Sequence, residues 1–181
     1  MVEWTGRATL AGEVDGQLVE AAFVVEQDCV LRIITDRDAE GLDIIRHSCA
    51  HLMAQAVKTM FPEAQVTIGP TIEDGFYYDF AYPQGFSETD LEAIENKMMD
   101  LAKMDQTITR EVIQRDQAVE RFEATGESYK AEIVAQIPAT DSISVNKQGS
   151  FQDICRGPNV PRTGSNKAFK LTKLPGCYWS G

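Results

Sequence analysis

The sequence lacks several features that would place it in a common class of protein. It has no apolar run of the ~18–20 residues that a membrane helix requires, and no signal-peptide pattern at its start. Its four cysteines form no Cys-x-x-Cys pair, and it contains no internal repeat, low-complexity segment or glycine-rich phosphate loop. These absences argue against a membrane protein and a disulfide framework. Scattered cysteines are typical of a reducing cytoplasm.

Positive charge is also scarce. The 17 Lys and Arg residues face 28 Asp and Glu residues, and the net charge of -11 argues against a general nucleic-acid coat. The imbalance is uneven, because residues 151–181 hold five of the basic residues and only one of the acidic ones. Two interpretations stay open for this basic end: it docks one specific polyanion, or it is a solvated tail.

Histidine occurs only twice, as His47 and His51. Both lie in a segment whose apolar spacing predicts a helix that starts within Asp36–Glu40 and runs to about Phe61. A four-residue separation places the imidazoles on one helix face, where they can bind a metal or hold a water and a polar substrate. A single histidine would favour a structural role, whereas this pair predicts a site. The buried stripe beside the pair is predicted to comprise Leu42, Ile45, Cys49, Leu52, Met53, Ala56 and Met60.

The remaining pattern predicts an α+β fold in which an antiparallel sheet packs against helices, with 43% hydrophobic residues to form a core. Asp15-Gly16 predicts a hairpin turn within a small β unit over 8–35. The other predicted elements are two strands over 66–70 and 75–80, a helix capped by Ser87, a strand over 107–113, a short helix capped by Asp116, another short helix after Gly126, a hairpin of 143–145 and 150–154 around a turn at 146–149, and a last strand over 167–171.

A few polar residues outside the helix are candidates for chemistry. Tyr77 and Tyr78 alternate along a strand, so only one can line a pocket, and the commoner alternative places both hydroxyls at the rim of the sheet. Lys130 follows a glycine-led turn and could reach a cleft, although a lone lysine there is more often at the surface. Cys155 and Asn159 bracket a sharp turn, and we expect this segment to face the histidines.

Five motifs carry a resemblance to a known family. In order, they resemble the N-terminal editing domain of bacterial threonyl-tRNA synthetase, and the match covers nearly the whole chain from Asp36 onward. Residues 8–35 resemble the second half of the ubiquitin-like (TGS) domain that precedes it. The resemblance implies a partial TGS segment over 1–37 and an editing domain over 38–181. The motifs are Ile45-Arg46-His47-Ser48-Cys49-Ala50-His51-Leu52, Ile68-Gly69-Pro70, Gly75-Phe76-Tyr77-Tyr78-Asp79, Gly126-Glu127-Ser128-Tyr129-Lys130 and Asp153-Ile154-Cys155-Arg156-Gly157-Pro158.

The resemblance implies that the chain hydrolyses serine wrongly esterified to the threonine tRNA. Such a second site is needed because a pocket discriminates one methyl group by only ~1–3 kcal/mol. It implies tRNA as the partner, a cytoplasmic parent ligase that is a homodimer, and ATP, Mg and Zn as cofactors of the parent's catalytic core rather than of editing. In the family that core follows the segment matching Tyr178–Gly181, so we expect a monomeric fragment without ligase activity.

The resemblance also implies residue roles. His47 and Lys130 would activate and orient the attacking water as the catalytic residues, and Asp153 would bind the substrate α-ammonium. Tyr78 would bind substrate or help form the wall against threonine. The pocket for the small side chain would be shaped by His51 and Cys155, and a ribose hydroxyl of the tRNA could assist.

One position departs from the family pattern. The family motif reads Cys-Arg-Gly-Pro-His, and this chain has Asn159 in place of the histidine. His-x3-His with Cys-x3-His is also the zinc signature of the related alanyl-tRNA synthetase editing domain. Here only His47, His51 and Cys155 remain as good ligands, and an asparagine amide is a poor fourth for zinc. We therefore expect no metal, with Asn159 still able to hydrogen-bond the substrate.

Four hypotheses for the function of the chain stay open. The first is an aminoacyl-tRNA hydrolase, and the second is a non-catalytic tRNA-binding appendage whose editing is weakened by Asn159. The third is a metal-dependent hydrolase of small esters, which requires bound zinc. The fourth is an α+β domain without chemistry. The retained His47, Lys130 and Asp153 favour the first.

Overall fold

The computed structural model describes residues 8–174, and the first elements of this part form a small antiparallel sheet. It consists of strands β1 (Thr9–Val14), β2 (Gln17–Glu20) and β3 (Leu31–Thr35) in the order β2-β1-β3. Asp15 and Gly16 join β1 to β2 with φ angles of 49° and 84°, as a two-residue hairpin turn requires. The β unit predicted over 8–35 is confirmed together with its turn.

The long helix α1 spans Ala39–Met60 and confirms the predicted segment. It ends at Phe61, directly before a proline that disfavours helical geometry in the residue it follows. The predicted burial of Leu42 is wrong, because this side chain is 46% exposed. A Cβ on Gly41 would lie 1.8 Å from the Thr35 carbonyl oxygen, so the helix approaches β3 closely through Gly41. The buried face at this end therefore runs through Gly41 and Ile44.

The segment after α1 forms four short strands instead of the two that were predicted. Strand β4 (Gln65–Val66) pairs with β7 (Phe80–Ala81), and β5 (Thr71–Ile72) pairs with β6 (Gly75–Phe76). The strand pairing is interrupted near Gly69. The Tyr78 ring packs so closely on this glycine that a Cβ at Gly69 would lie 2.1 Å from the ring. Tyr78 is consequently buried, while Tyr77 is 40% exposed, in agreement with their predicted opposite directions.

Helix α2 (Glu88–Lys103) starts at Ser87 with a capping box, as predicted. The Ser87 hydroxyl accepts from the Asp90 N–H, and the Asp90 carboxylate accepts from the Ser87 N–H. The apolar side of α2 packs on the C-terminal half of α1 and supports the helix that carries both histidines. The buried side chains of this cluster are Leu52, Ala56, Val57, Ala64, Ile94, Met98 and Leu101.

A second antiparallel sheet has the order β10-β9-β8 and is formed by β8 (Ile108–Gln114), β9 (Ser142–Gln148) and β10 (Phe151–Ile154). Helices α3 (Arg115–Ala124) and α4 (Ser128–Ala135) cover one of its faces. Gln148 and Asp153 on the opposite face hydrogen-bond His51 of α1. The α+β class with antiparallel sheets and helices is thereby confirmed.

Two local predictions in this half are wrong. The hairpin turn lies at Gly149-Ser150, not at 146–149, because Gln148 pairs directly with Phe151 and Gly149 has a φ of 58°. Gln114 is the N-cap of α3, so Asp116 lies within the first turn. In both cases the strand ends later in the chain than predicted. Pairing of Gln148 with Phe151 moves the turn, and pairing of Gln114 with Ser142 extends β8 up to the start of α3.

Residues 167–171 form no strand, although one was predicted there. Their apolar side chains Phe169 and Leu171 instead pack against the cluster between α1 and α2. The Leu171 N–H donates to the Glu95 carboxylate, so this backbone group is satisfied without a neighbouring strand. Tyr178–Gly181 lie outside the described residues, and the boundary between 1–37 and 38–181 stays a prediction. Among residues 8–174, no helix has the length and hydropathy needed to cross a membrane.

Candidate functional site

The two histidines of α1 face the end of β10, where Cys155 lies. His47 Nε2 is 2.7 Å from Cys155 Sγ and 3.2 Å from His51 Nε2. The imidazole rings meet edge to face, with 4.6 Å between their centroids. The Cys155 N–H bonds the Ser144 carbonyl, so Cys155 continues the β9–β10 ladder by one residue. The structure therefore brings together two motifs that are about a hundred residues apart in the chain.

Asp153 holds the buried end of this cluster. Its side chain is only 1% exposed, and Oδ1 accepts from Lys130 Nζ at 2.5 Å and from the Ile154 N–H at 2.9 Å. Oδ2 accepts from His51 Nδ1 at 2.8 Å and from the Tyr78 hydroxyl. Four hydrogen bonds use the capacity of a carboxylate. Direct binding of a substrate ammonium by Asp153 stays a prediction, and it would require one of these donors to move.

Lys130 is fully buried beside Asp153, so the alternative of a surface lysine is wrong and its side chain belongs to the cluster. It lies in the first turn of α4, and its ammonium group is 5.4 Å from the centroid of the Phe122 ring and 5.8 Å from that of Phe151. These contacts and the ion pair with Asp153 compensate for its removal from water. Lys130 reaches His47 only indirectly, through Asp153 and His51.

The charges of the cluster are coupled. Burial opposes the ionisation of Cys155, but hydrogen bonds from His47 and His51 outweigh it and lower the pKa of the thiol to about 5. Burial likewise disfavours the charged form of His51, yet Asp153 and Cys155 raise its pKa to about 9. Despite burial, Lys130 and His51 keep the pKa of Asp153 below its ordinary value. At pH 7 the site therefore contains a thiolate beside an imidazolium.

Two further groups donate into this site. Burial and the neighbouring Asp153 charge raise the pKa of Tyr78 well above 10, so its hydroxyl stays protonated and donates. Asn159 is 3% exposed and directs Nδ2 to Cys155 Sγ at 3.4 Å. Its Oδ1 accepts from the Ser48 hydroxyl at 3.2 Å. Asn159 thus contributes a neutral donor to the thiolate from the position where the family pattern has histidine.

Sequence reasoning missed the residues that support the site. Ser48 is fully buried between the two histidines in sequence, and besides donating to Asn159 it accepts from the Val160 N–H. Gln148 donates to the His51 carbonyl and to Gln55 Oε1, which ties β9 to α1. Ser48 belongs to the quoted motif, so its position between the histidines was the available signal.

Three side chains of the cluster could hold a metal ion. The ligand atoms of His47, His51 and Cys155 all lie within 4.8 Å of one another, and Asp153 binds the far nitrogen of His51 as carboxylates do behind zinc ligands. Tetrahedral zinc would separate its nitrogen and sulfur ligands by about 3.5 Å, given the usual bond lengths. The 2.7 Å between His47 Nε2 and Cys155 Sγ is a hydrogen-bond distance. The donor set fits zinc only if this contact opens, and the expected absence of metal stays a prediction.

The ionisation of Cys155 gives a first testable prediction. We expect the ultraviolet absorbance of the thiolate to titrate with an apparent pKa of about 5 in chelator-treated protein. His51→Ala removes the imidazolium, so this pKa should rise toward the ordinary thiol value of about 8.5. Cys155→Ser isolates the signal by difference. Cys49, whose pKa burial raises to about 12, stays silent over this range. An unchanged titration midpoint in His51→Ala would contradict the coupling.

Comparison with known proteins adds an independent finding. No protein-family model matches the chain. Over 175 residues, which are 97% of the chain, it is 59% identical to the threonine–tRNA ligase of Nitrosococcus oceani and to that of Herminiimonas arsenicoxydans. The identity to the threonine–tRNA ligase of Alkalilimnicola ehrlichii is 60% over the same length. The chain spans only 27% to 28% of the length of these curated relatives.

Proposed function

We propose that this chain, which is related along nearly its whole length to one segment of threonine–tRNA ligases, hydrolyses serine mischarged on the threonine tRNA. The observation that carries the proposal is the cluster of His47, His51, Cys155 and Asp153. A partly exposed imidazole lies beside a buried network of ion pairs, which is an arrangement suited to deprotonating a water. Proofreading by such a site explains why a ligase would carry this segment.

His47 is the proposed general base. Neutral His47 would donate its Nε2–H to the Cys155 thiolate, which leaves the lone pair of Nδ1 to accept a proton from water. The water oxygen then bonds to the ester carbonyl carbon, and the bond from that carbon to the ribose oxygen breaks. The proton on His47 passes to the leaving ribose oxygen. The products are serine and a tRNA with a free terminal hydroxyl.

Lys130 acts in this proposal by positioning. Its ammonium fixes Asp153, which holds the Nδ1–H of His51, and His51 in turn lies against His47. The direct contact with water that the family resemblance implies would require Lys130 to leave this ion pair. The catalytic role of Lys130 therefore rests on the orientation of the histidine pair.

The small substrate pocket is proposed to lie among His51, Cys155 and Tyr78, with Asn159 as a further polar contact. Asp153 holds His51 and Tyr78 by hydrogen bonds, and the histidines hold Cys155. The pocket can therefore resist expansion. A rigid wall is what excludes one methyl group, and such exclusion corresponds to about 10–200-fold discrimination. Serine would enter, and threonine would be rejected by its extra methyl.

The direct test is deacylation of seryl and threonyl esters of the threonine tRNA. We expect the seryl ester to be hydrolysed at least about tenfold faster, in line with the discrimination available for one methyl group. A filter assay of the remaining labelled ester measures both rates. Equal rates would contradict proofreading.

A second candidate is a non-catalytic tRNA-binding appendage. The observation that favours it is Asn159, whose buried amide donates to Cys155 but cannot take up a proton near neutral pH. Binding of the threonine tRNA without loss of either ester, in folded protein, would select this candidate. The same measurements therefore separate the two.

For the whole protein, we propose a cytoplasmic threonine–tRNA ligase that is a homodimer and uses ATP, Mg and Zn outside this segment. The support is the identity to threonine–tRNA ligases, whose remaining length this chain does not cover. Editing itself is proposed to need no cofactor, and the isolated segment is proposed to be a monomer. Analytical ultracentrifugation and metal analysis of the purified chain test these two points.

A further inference from the structure

Asn146 is a buried amide whose two polar atoms have no partner. The residue is 6% exposed, and neither Oδ1 nor Nδ2 makes a hydrogen bond. In the part of the chain from 8 to 174, buried side-chain atoms of this kind occur at only three residues. The other two are Oε1 of Glu20 and Nδ2 of Asn166. Burying a polar group without a partner is costly, so the unpartnered amide of Asn146 requires an explanation.

The strand register places Asn146 beside the site. It is directly opposite Asp153 of β10 and directly opposite Arg110 of β8. Directly opposed residues of antiparallel strands project to the same face, with Cβ atoms about 4.5–5.5 Å apart. Cys155 bonds Ser144, two residues from Asn146, so it projects to that face as well. The amide therefore lies on the face of the sheet that carries Asp153 and Cys155.

A second buried acceptor, on Glu20, is linked to Asn146 through Arg110. Oε1 of Glu20 lacks a hydrogen bond and is 3.7 Å from Nη1 of Arg110, the cross-strand neighbour of Asn146. Arg110 is itself engaged with the Ser144 hydroxyl through Nε. The acceptor oxygen and the donor nitrogen of Asn146 thus remain without partners, and Glu20 Oε1 has only its ion pair with Arg110 and no hydrogen bond.

This set of atoms matches a hydroxyl group. A hydroxyl can accept from Nδ2 of Asn146 and donate to its Oδ1, or donate to Glu20, at the same time. An ammonium group would satisfy only the acceptors. A carboxylate or phosphate would satisfy only the donor and would be repelled by Glu20. Asp153 cannot supply the same function, because its four acceptor positions are filled.

We propose that Asn146 binds the side-chain hydroxyl of the aminoacyl substrate and so makes the site selective for a hydroxylated amino acid. This inference rests on the proposed function, since it assigns a further specificity residue to the same site. It adds discrimination against a smaller competitor: alanine fits any pocket that admits serine, and only the hydroxyl distinguishes the two. A site built to hydrogen-bond a hydroxyl rejects an analogue that lacks it.

The test is the binding of two amide-linked analogues, seryl and alanyl 3′-aminoadenosine, measured by calorimetry with the full chain. We expect the unaltered protein to bind the seryl analogue about 10–100-fold more tightly. Asn146→Ala should weaken binding of the seryl analogue by a similar factor and leave the alanyl analogue within about twofold. Asn146→Asp retains acceptors but loses the donor, and should lie between them.

Asn166→Ala is the matched control, because Asn166 is a buried amide whose nitrogen has no partner and whose Oδ1 accepts from the Cys49 thiol. It should leave the ratio of the two affinities unchanged. A ratio that is the same in Asn146→Ala as in the unaltered protein would overturn the proposal, as would binding of neither analogue. Binding with the expected ratio but without ester hydrolysis would contradict only the proposed function.

Discussion

Replacing Lys130 by methionine is expected to lower the free energy of unfolding by about 3–5 kcal/mol at pH 7. Methionine has a similar length and fits beside Phe122 and Phe151, so the change removes the charge with little change in packing. The loss is large because Asp153, 1% exposed, would keep its negative charge in the interior with one fewer donor. The remaining donors, His51 and Tyr78, place the expected value toward the lower end of this range.

Chemical denaturation measures this effect, and its pH dependence identifies the cause. The folded-state pKa of Asp153 is depressed, so the stability it contributes is present above the unfolded value of about 3.9 and is lost as the pH falls through the folded pKa. The difference between the variant and the unaltered protein should therefore shrink at acidic pH. Lys170→Met, at an exposed ion pair with Glu95, is the control and should unfold almost as the unaltered protein does. An equally small effect at Lys130 would contradict the proposed role of its charge.

Most of the predictions that depended on local pattern were confirmed, whereas the turn at 146–149 and the Asp116 cap were wrong because strand pairing sets those boundaries. The α1 helix, the hairpin at Asp15-Gly16 and the Ser87 cap follow from apolar periodicity, turn residues and capping residues, which act within a few positions. The approach of the histidines to Cys155 could be predicted because several motifs matched one known domain in order. Composition or periodicity alone does not define that contact.

Other features depend on tertiary contacts that the local sequence does not show. The burial of Lys130 depends on Asp153 and two aromatic rings from separate elements, so the glycine-led turn alone favoured the surface alternative, and only the family resemblance assigned Lys130 to the site. The apolar alternation around Phe169 was mistaken for a strand because burial against α1 and α2 selects the same residues as pairing does. The exposure of Leu42 follows from the close approach of Gly41 to β3, which helical periodicity does not encode.

The position of Asn146 also depends on tertiary structure, through the register of its strand. In the sequence it stood within a predicted turn, where asparagine is common. The register of β9 with both neighbours moves it into the sheet and onto the face of Asp153. Its significance arises only from burial together with the absence of a hydrogen-bond partner.

Replacing His47 by alanine is expected to lower the rate of seryl-ester hydrolysis by about 10²–10⁴-fold, the range for loss of a general base. His47 is the less buried of the two histidines, and its Nε2 is engaged with Cys155 Sγ at 2.7 Å, so Nδ1 is the nitrogen that would take the proton. A single-turnover assay measures the chemical step separately from tRNA release. Leu42→Ala, an exposed position in the first turn of the same helix, is the control and should retain the full rate.

His47→Gln separates catalysis from support of the thiolate. The glutamine amide can place an N–H where Nε2 stands, so it can still donate to Cys155, but it cannot accept a proton near neutral pH. Both variants should lose the rate alike if His47 is the base, whereas only His47→Ala should raise the pKa of Cys155 above about 5. A glutamine variant that retains hydrolysis would show that His47 serves the thiolate alone. The attacking water would then have to be activated by another group, such as a ribose hydroxyl of the tRNA.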